Sequence, residues 1–279
     1  MEVVEASNYG PPVNKLLTYG EGKLSSPDNW PNYLELGLNS EHIPELIRMA
    51  TDEQLNEADT ESLEVWAPIH AWRALGQLQA QAAIEPLLTL FETLKDDDWV
   101  MNELPVVLGM IGPAALPALA EYLADITHDD SARISTTSCI ENIGKRWPET
   151  RTACVDILTE QLKLFAENDP DLNGFLILTL VELQAKEAAP VIERAYAANR
   201  VELIVMGEWD DVQVELGLKS PEEVQQKRSE RLIETSVPYK DHEKAVTYIS
   251  SRVSHESKAT HKKTKTKMAQ QSRKKNRQR

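Results

Sequence analysis

Four stretches of this chain are variants of one another, and that self-similarity constrains its fold more than any other feature. LGQLQAQAAIEPLLTLF from Leu75, LGMIGPAALPALAEYL from Leu108 and LVELQAKEAAPVIERAY from Leu180 share an apolar start, a small-residue break and a second apolar run. IENIGKRWPETRTACVDIL from Ile140 is a weaker copy in which RWPETRT replaces the Ala-rich turn. Taken from Leu75 through Leu108 and Ile140 to Leu180, the copies are spaced by 33, 32 and 40 residues; LGLNSEHIPELIRMA starts 39 residues upstream of Leu75, at Leu36. Intervals of this size belong to stacked helix pairs.

Within one copy the pattern reads as helix, turn, helix. Ile69, Trp72, Leu75 and Leu78 recur at three-residue steps, and Ile84, Leu87, Leu88, Phe91 and Leu94 form a second apolar stripe at helical spacing. Leu116, Leu119, Tyr122, Leu123 and Ile126 repeat that stripe. Pro44, Pro86, Pro117 and Pro190 recur at matching places, which puts each in the first turn of a second helix, where its missing N–H costs nothing. Asp-Gly turns and sustained period-two runs do not occur, so the class is all-α.

The boundaries follow from composition. Residues 1–31 hold Pro11, Pro12, Pro27 and Pro31 with Gly10, Gly20 and Gly22, an irregular leader; residues 32–217 form the repeat body. In the third copy the second helix is expected from Arg151 toward Phe165, and Phe175 to Leu183 is apolar nearly all round, as a covered helix would be. Gly207 to Gly217 is acidic and suits the polar outer face of an end repeat. Ser220-Pro221-Glu222-Glu223 opens a helix to about Ile233 within an extension, residues 218–257. Residues 258–279, with Met268 as the one sizeable apolar side chain, read as a disordered basic tail.

ALGQLQAQAAIEPLLTLF (Ala74 to Phe91) and VLGMIGPAALPALAEYL (Val107 to Leu123) resemble HEAT repeats of the short, Ala/Gly/Pro-punctuated variety seen in phycobilisome-lyase-type proteins. The resemblance covers roughly residues 35 to 200. It implies a right-handed α-solenoid of about four to five HEAT-like helix pairs, and it leaves function open because such folds serve many tasks. It also implies an alternative activity, a bilin lyase or chaperone-lyase. GEWDDVQVELGL is similar to a stretch in bacterial HEAT-like proteins that often end in a small zinc-binding cysteine cluster; here a basic tail stands in its place.

Composition excludes several classes. With 279 residues, 41% of them apolar, the chain can bury a sizeable core, yet no apolar run approaches the roughly 20 residues of a membrane span. The acidic start, MEVVEASNYG, lacks the basic and apolar regions of a secretory signal, and two cysteines cannot make a disulfide scaffold, so a cytoplasmic location is expected. The net charge of −15 hides a division: Lys258 to Arg279 carries ten Lys or Arg and no acid, leaving −25 on residues 1–257. The body repels polyanions and the tail attracts them.

Residue by residue, the case for an enzyme is thin. Neither a phosphate-binding Gly loop nor G-x-S-x-G nor H-E-x-x-H occurs. His42, His70, His128, His242, His255 and His261 match no zinc spacing, so neither a metal nor another cofactor is expected. Cys139 and Cys154 are expected on consecutive helices; a bilin-accepting or reactive thiol is the sharper reading, and a pair of small buried hydrophobes the favoured one. For Trp66 and Trp99, 33 residues apart, two rings shown on one edge of the stack is the sharper reading, and packing the favoured one. Asp96, Asp97, Asp98 and Glu103 surround Trp99, and Glu208, Asp210, Asp211 and Glu215 surround Trp209; a solvated loop and cap is the favoured reading of these acids, and an acidic groove the sharper one. These positions are the expected contacts of an acidic surface with a basic protein partner. Lys258, Lys262, Lys263, Lys265, Lys267, Arg273, Lys274, Lys275, Arg277 and Arg279 are the expected polyanion contacts, and the tail lacks aromatic residues for base stacking. The expectation is a non-catalytic interaction scaffold or adaptor, with an RNA- or ribosome-associated factor acting through the tail as another alternative.

Overall fold

The structure, a computed structural model, describes residues 9–21, 27–95 and 97–235; within 231–235 it describes the backbone alone. Asp96 and the whole basic tail therefore lie outside the described residues, as do His242, His255 and His261. Among the described residues every regular element is an α-helix or a 3₁₀ turn and none is a strand, an all-α helical repeat as the sequence pattern requires. The chain divides into two compact units, residues 1–164 and 165–279.

In the first unit the helices are α1 (Ile43–Ala50), α2 (Glu53–Asn56), α3 (Ala67–Gln77), α4 (Ile84–Thr93), α5 (Asp98–Ile111), α6 (Leu116–Ala124), α7 (Asp130–Arg146) and α8 (Arg151–Lys163). The first helices of successive copies form one layer, α3 against α5 and α5 against α7, with α1 closing on α3. α6 packs on α7 and α8. Trp72, Leu75, Leu87, Phe91, Leu104, Leu108 and Leu119 fill the space between them and are almost wholly buried, whereas Ile126, expected to continue the second stripe, lies beyond the end of α6 and is 82% exposed.

The link between the helices of a copy has one design, and the sequence explains it. A 3₁₀ turn at Gln81–Ala83, Pro113–Ala115, Pro148–Thr150 or Lys186–Ala188 runs straight into the second helix. Pro44, Pro117 and Pro190 occupy the second position of their helices and Pro86 the third, all in the first turn. The first helices of two copies end in a left-handed residue: Gln79 at φ 50° and Gln184 at φ 54°. Ala80 N–H then donates to Leu75 C=O at 3.0 Å and Gln79 N–H to Gly76 C=O at 3.0 Å; Ala185 and Gln184 repeat the pair on Leu180 and Val181. This closure satisfies carbonyls that a helix end would orphan. Gly112, at φ 92°, holds the same place after Leu108. In the third copy Gly144 stays inside α7, which continues to Arg146; that longer helix is why the repeat reads as looser.

Contact between copies is close at Gly109. A Cβ there would lie 2.6 Å from Cβ of Asn142, so α5 and α7 meet backbone to side-chain root. Upstream, residues 9–21 and 27–36 lie across the end of the layer as short 3₁₀ turns, Val13–Thr18, Pro27–Asn29 and Tyr33–Leu36. They are tied down by polar bonds: Tyr9 O–H to Asp52 at 2.8 Å, Gly10 N–H to Glu45 at 2.6 Å, and Gln77, which accepts from Tyr33 N–H and donates to Pro31 C=O.

The second unit contains α9 (Pro170–Glu182), α10 (Ala189–Ala197), α11 (Leu203–Met206), α12 (Trp209–Glu215) and α13 (Pro221–Thr235). α9 packs on α11, α10 on α12 and α12 on α13. Buried Asn173 stitches the loops, donating to the carbonyls of Phe165 and Arg200 while accepting from Asn168. Ser220 Oγ accepts from Glu223 N–H at 3.2 Å and Glu223 returns the bond to Ser220 N–H, the reciprocal cap that Ser220-Pro221-Glu222-Glu223 encodes. α13 ends at Thr235, two residues beyond the expected end at Ile233.

Candidate functional site

Two surfaces carry the residues singled out by the sequence, one in each unit. In the first, Trp66 stands at the N-terminus of α3 and Trp99 in the first turn of α5. Their rings meet edge to face, with centroids 5.3 Å apart and planes at 79°, and both are partly exposed. The matching positions thus do bring the rings together, against each other as well as toward solvent.

The acids around them have structural work. Asp97 is the N-cap of α5: one of its carboxylate oxygens accepts from Trp99 N–H at 2.7 Å and Val100 N–H at 3.1 Å. Asp98 opens the helix, where a negative charge suits the positive end of the dipole. Glu103 corrects the expectation of an acidic surface residue. It is 3% exposed and faces inward on α5, four positions after Trp99, where it pairs with Arg73 of α3. Arg73 Nε donates to it at 2.8 Å, Nη2 donates to its second oxygen, and Trp72 Nε1 donates at 3.3 Å. Arg73 is itself 2% exposed and lies over the rings of Trp30 and Trp99, at 4.9 and 5.8 Å from their centroids. A carboxylate this deep needs a cation and donors, and α3 supplies both.

Beside that pair, His70 joins Tyr33 and Tyr19. Tyr33 Oη lies 2.6 Å from His70 Nδ1, His70 Nε2 lies 2.9 Å from the Gly20 carbonyl, and the Tyr19 ring meets the imidazole edge-on. Burial, followed by the nearby Arg73 charge, holds the imidazole pKa below its usual value despite the Gly20 bond, and burial pushes the Tyr33 phenol up to about 12. Sequence reasoning overlooked this polar core. Its signal was the two polar residues His70 and Arg73 set into the apolar run IHAWRAL.

In the second unit an open cleft of about 700 Å³ is lined by Tyr196, Leu203, Trp209, Glu193, Glu208 and Lys219, among others. Tyr196 and Trp209 lie 6.0 Å apart, and Tyr196 O–H is fixed on the Gly207 carbonyl at 3.1 Å. Leu203 and its neighbour Ile204 are 50% and 72% exposed. Trp209 therefore lines a concave surface. Asp210 requires the same correction as Glu103: it is 5% exposed and receives Lys219 at 3.3 Å and Lys227 at 3.9 Å, which locks α12 to α13. Asp211 accepts from Glu208 N–H and pairs with Arg228 at 2.9 Å. Leu203, Lys219 and Lys227 were missed because no pattern in the sequence brings them to Trp209.

Other candidates are placed as follows. Cys139 and Cys154 are both buried free thiols, and burial pushes each pKa up, away from the reactive thiolate. His42 accepts from Asn39 N–H, and His128 stacks on Tyr122 with Nδ1 3.2 Å from Glu92. Among the described residues no group of three or more His, Cys, Asp or Glu side chains is placed to hold a metal. No single helix among them is long and apolar enough to cross a membrane.

Helix pairs repeating one turn design, with first helices stacked in a layer, define a helical-repeat protein. Residues 70–93, from α3 through α4, match the family described as PBS lyase HEAT-like repeat, which supports a HEAT-like kind of repeat for this helix pair. No curated protein and no solved structure matches the chain.

Proposed function

We propose that this protein is a non-catalytic interaction scaffold or adaptor that receives a basic protein partner on its acidic helical-repeat surface. The observation that carries the reading is the cleft of the second unit, where Trp209, Tyr196 and Leu203 offer apolar contact beside Glu193 and Glu208. Aromatic side chains half-sunk in a concave wall are the usual anchors of protein interfaces. A charge of −25 on residues 1–257 favours a cationic partner and speeds its approach. The Trp66–Trp99 edge, with Asp97 and Asp98 beside it, is a second contact area of the same chemistry.

The test is affinity capture with three forms: the full chain, a chain ending at Ser257, and the full chain with Leu203→Ala and Trp209→Ala. The reading expects one partner held by the first two and lost from the third. Recovery that depends on the tail alone overturns it.

The tail favours a second reading, contact with RNA or another polyanion. Ten cations without one acid in Lys258 to Arg279 supply affinity without sequence choice, and such binding weakens steeply with salt. Retention on RNA at low salt that survives deletion of Lys258 to Arg279 removes this reading.

A further inference from the structure

The N-terminal segment is held on α3 at a point that can accept a proton. Gly20 C=O can only accept, so the His70 nitrogen facing it, Nε2, carries the hydrogen and Nδ1 is bare. Tyr33 O–H therefore donates to Nδ1, at 2.6 Å. The Tyr33 oxygen in turn takes a hydrogen bond from Arg73. One neutral imidazole thus clamps both halves of the segment, residues 9–21 through Gly20 and residues 27–36 through Tyr33. His70 is 1% exposed and Tyr33 is fully buried.

The surrounding charges leave little room for a second cation. On α3 itself Arg73 stands one turn away; from α5 comes Glu103, whose two oxygens are already taken by Arg73 and Trp72. Tyr19 and Tyr33 face the ring from the segment, whose Lys15 donates to Leu36 C=O. Glu45 and Arg48 of α1 are engaged with Gly10 and Tyr9, Asp52 holds Tyr9 and caps α2, and Glu64 sits in the turn before α3. Protonation puts a hydrogen on Nδ1 opposite the Tyr33 hydroxyl hydrogen. The phenol would then have to accept from both Arg73 and His70 and turn its own hydrogen elsewhere, beside two buried cations.

We propose that His70 is a proton-operated latch that holds residues 9–21 and 27–36 on α3 when neutral and releases them when charged. Release uncovers the face of α3 that bears His70, Arg73 and Gln77, and it leaves the α5–α7 layer intact.

Hydrogen exchange of the full chain between about pH 8 and about pH 5 tests this, with His70→Gln as the reference because its amide keeps a donor for Gly20 and does not titrate. Taking the ratio of wild type to His70→Gln at each pH cancels the intrinsic change in exchange rate. Segment peptides of the wild type are expected to open about tenfold more per pH unit, one proton's worth, between the ordinary imidazole pKa of about 6.5 and the latch midpoint and to level off below it, while peptides from residues 104–111 stay protected. Tyr33→Phe, which removes the donor to Nδ1, is expected to move the midpoint to higher pH, and it serves if His70→Gln does not fold. Equal opening of wild type and His70→Gln overturns the latch, as does loss of the segment together with the core or a midpoint unmoved by Tyr33→Phe.

Discussion

At the scale of single residues, Arg73 and Glu103 show how a buried charge is tolerated and what its loss entails. Each is almost wholly buried and each is the other's counter-ion. Glu103→Leu strands the guanidinium and is expected to lower unfolding free energy by about 3–5 kcal/mol in denaturant titration. Replacing both, Arg73→Met with Glu103→Leu, is expected to restore most of that loss, since two apolar side chains leave no uncompensated charge. Gln79 offers the opposite sign. Its φ of 50° costs an L-residue about 1–2 kcal/mol, so Gln79→Gly is expected to raise stability by up to about 1 kcal/mol after the glycine's own entropy is counted. Gly112→Ala is expected to destabilise by more than about 1 kcal/mol, because a Cβ there meets the Trp147 indole at 2.8 Å with φ at 92°. Thermal unfolding of the two variants in parallel checks both.

At the scale of elements, the second helices and their prolines were plain in the sequence because one physical rule fixes them: only the first helical turn accepts proline without losing a bond. The cap on α13 was equally plain. Ser220→Ala is expected to cost about 1 kcal/mol, read as loss of helicity confined to α13 by circular dichroism and exchange. The side of a helix on which a charge falls was harder to read. Glu103 and Asp210 lie in acidic stretches that look solvated, yet each turns inward because a cation from outside its own helix, Arg73 or Lys219, meets it there. That partner lies outside the acid's own helix, 30 residues away for Arg73 and 9 for Lys219, so periodicity within one helix does not reveal it. The cleft is hidden for the same reason, since it exists only once α10, α12 and α13 have packed.

At the scale of the whole molecule, charge is distributed as strongly as structure. Removing Lys258 to Arg279 takes the net charge from −15 to −25. The truncated protein is expected to lose retention on RNA resin while gaining affinity for an anion exchanger, a shift that elution salt measures directly. Full-length protein eluting from both resins at the same salt as the truncated form contradicts this division of labour.

The ion pair between α3 and α5 also limits how this protein can be rearranged. Moving one helical hairpin into another scaffold, by recombination or by design, would separate a guanidinium from its carboxylate and leave each facing a stranger's hydrocarbon. In any viable chimaera, then, the breakpoint falls outside the stretch from Ala67 to Ile111, and the hairpin and the helix that follows it are transplanted as one cassette.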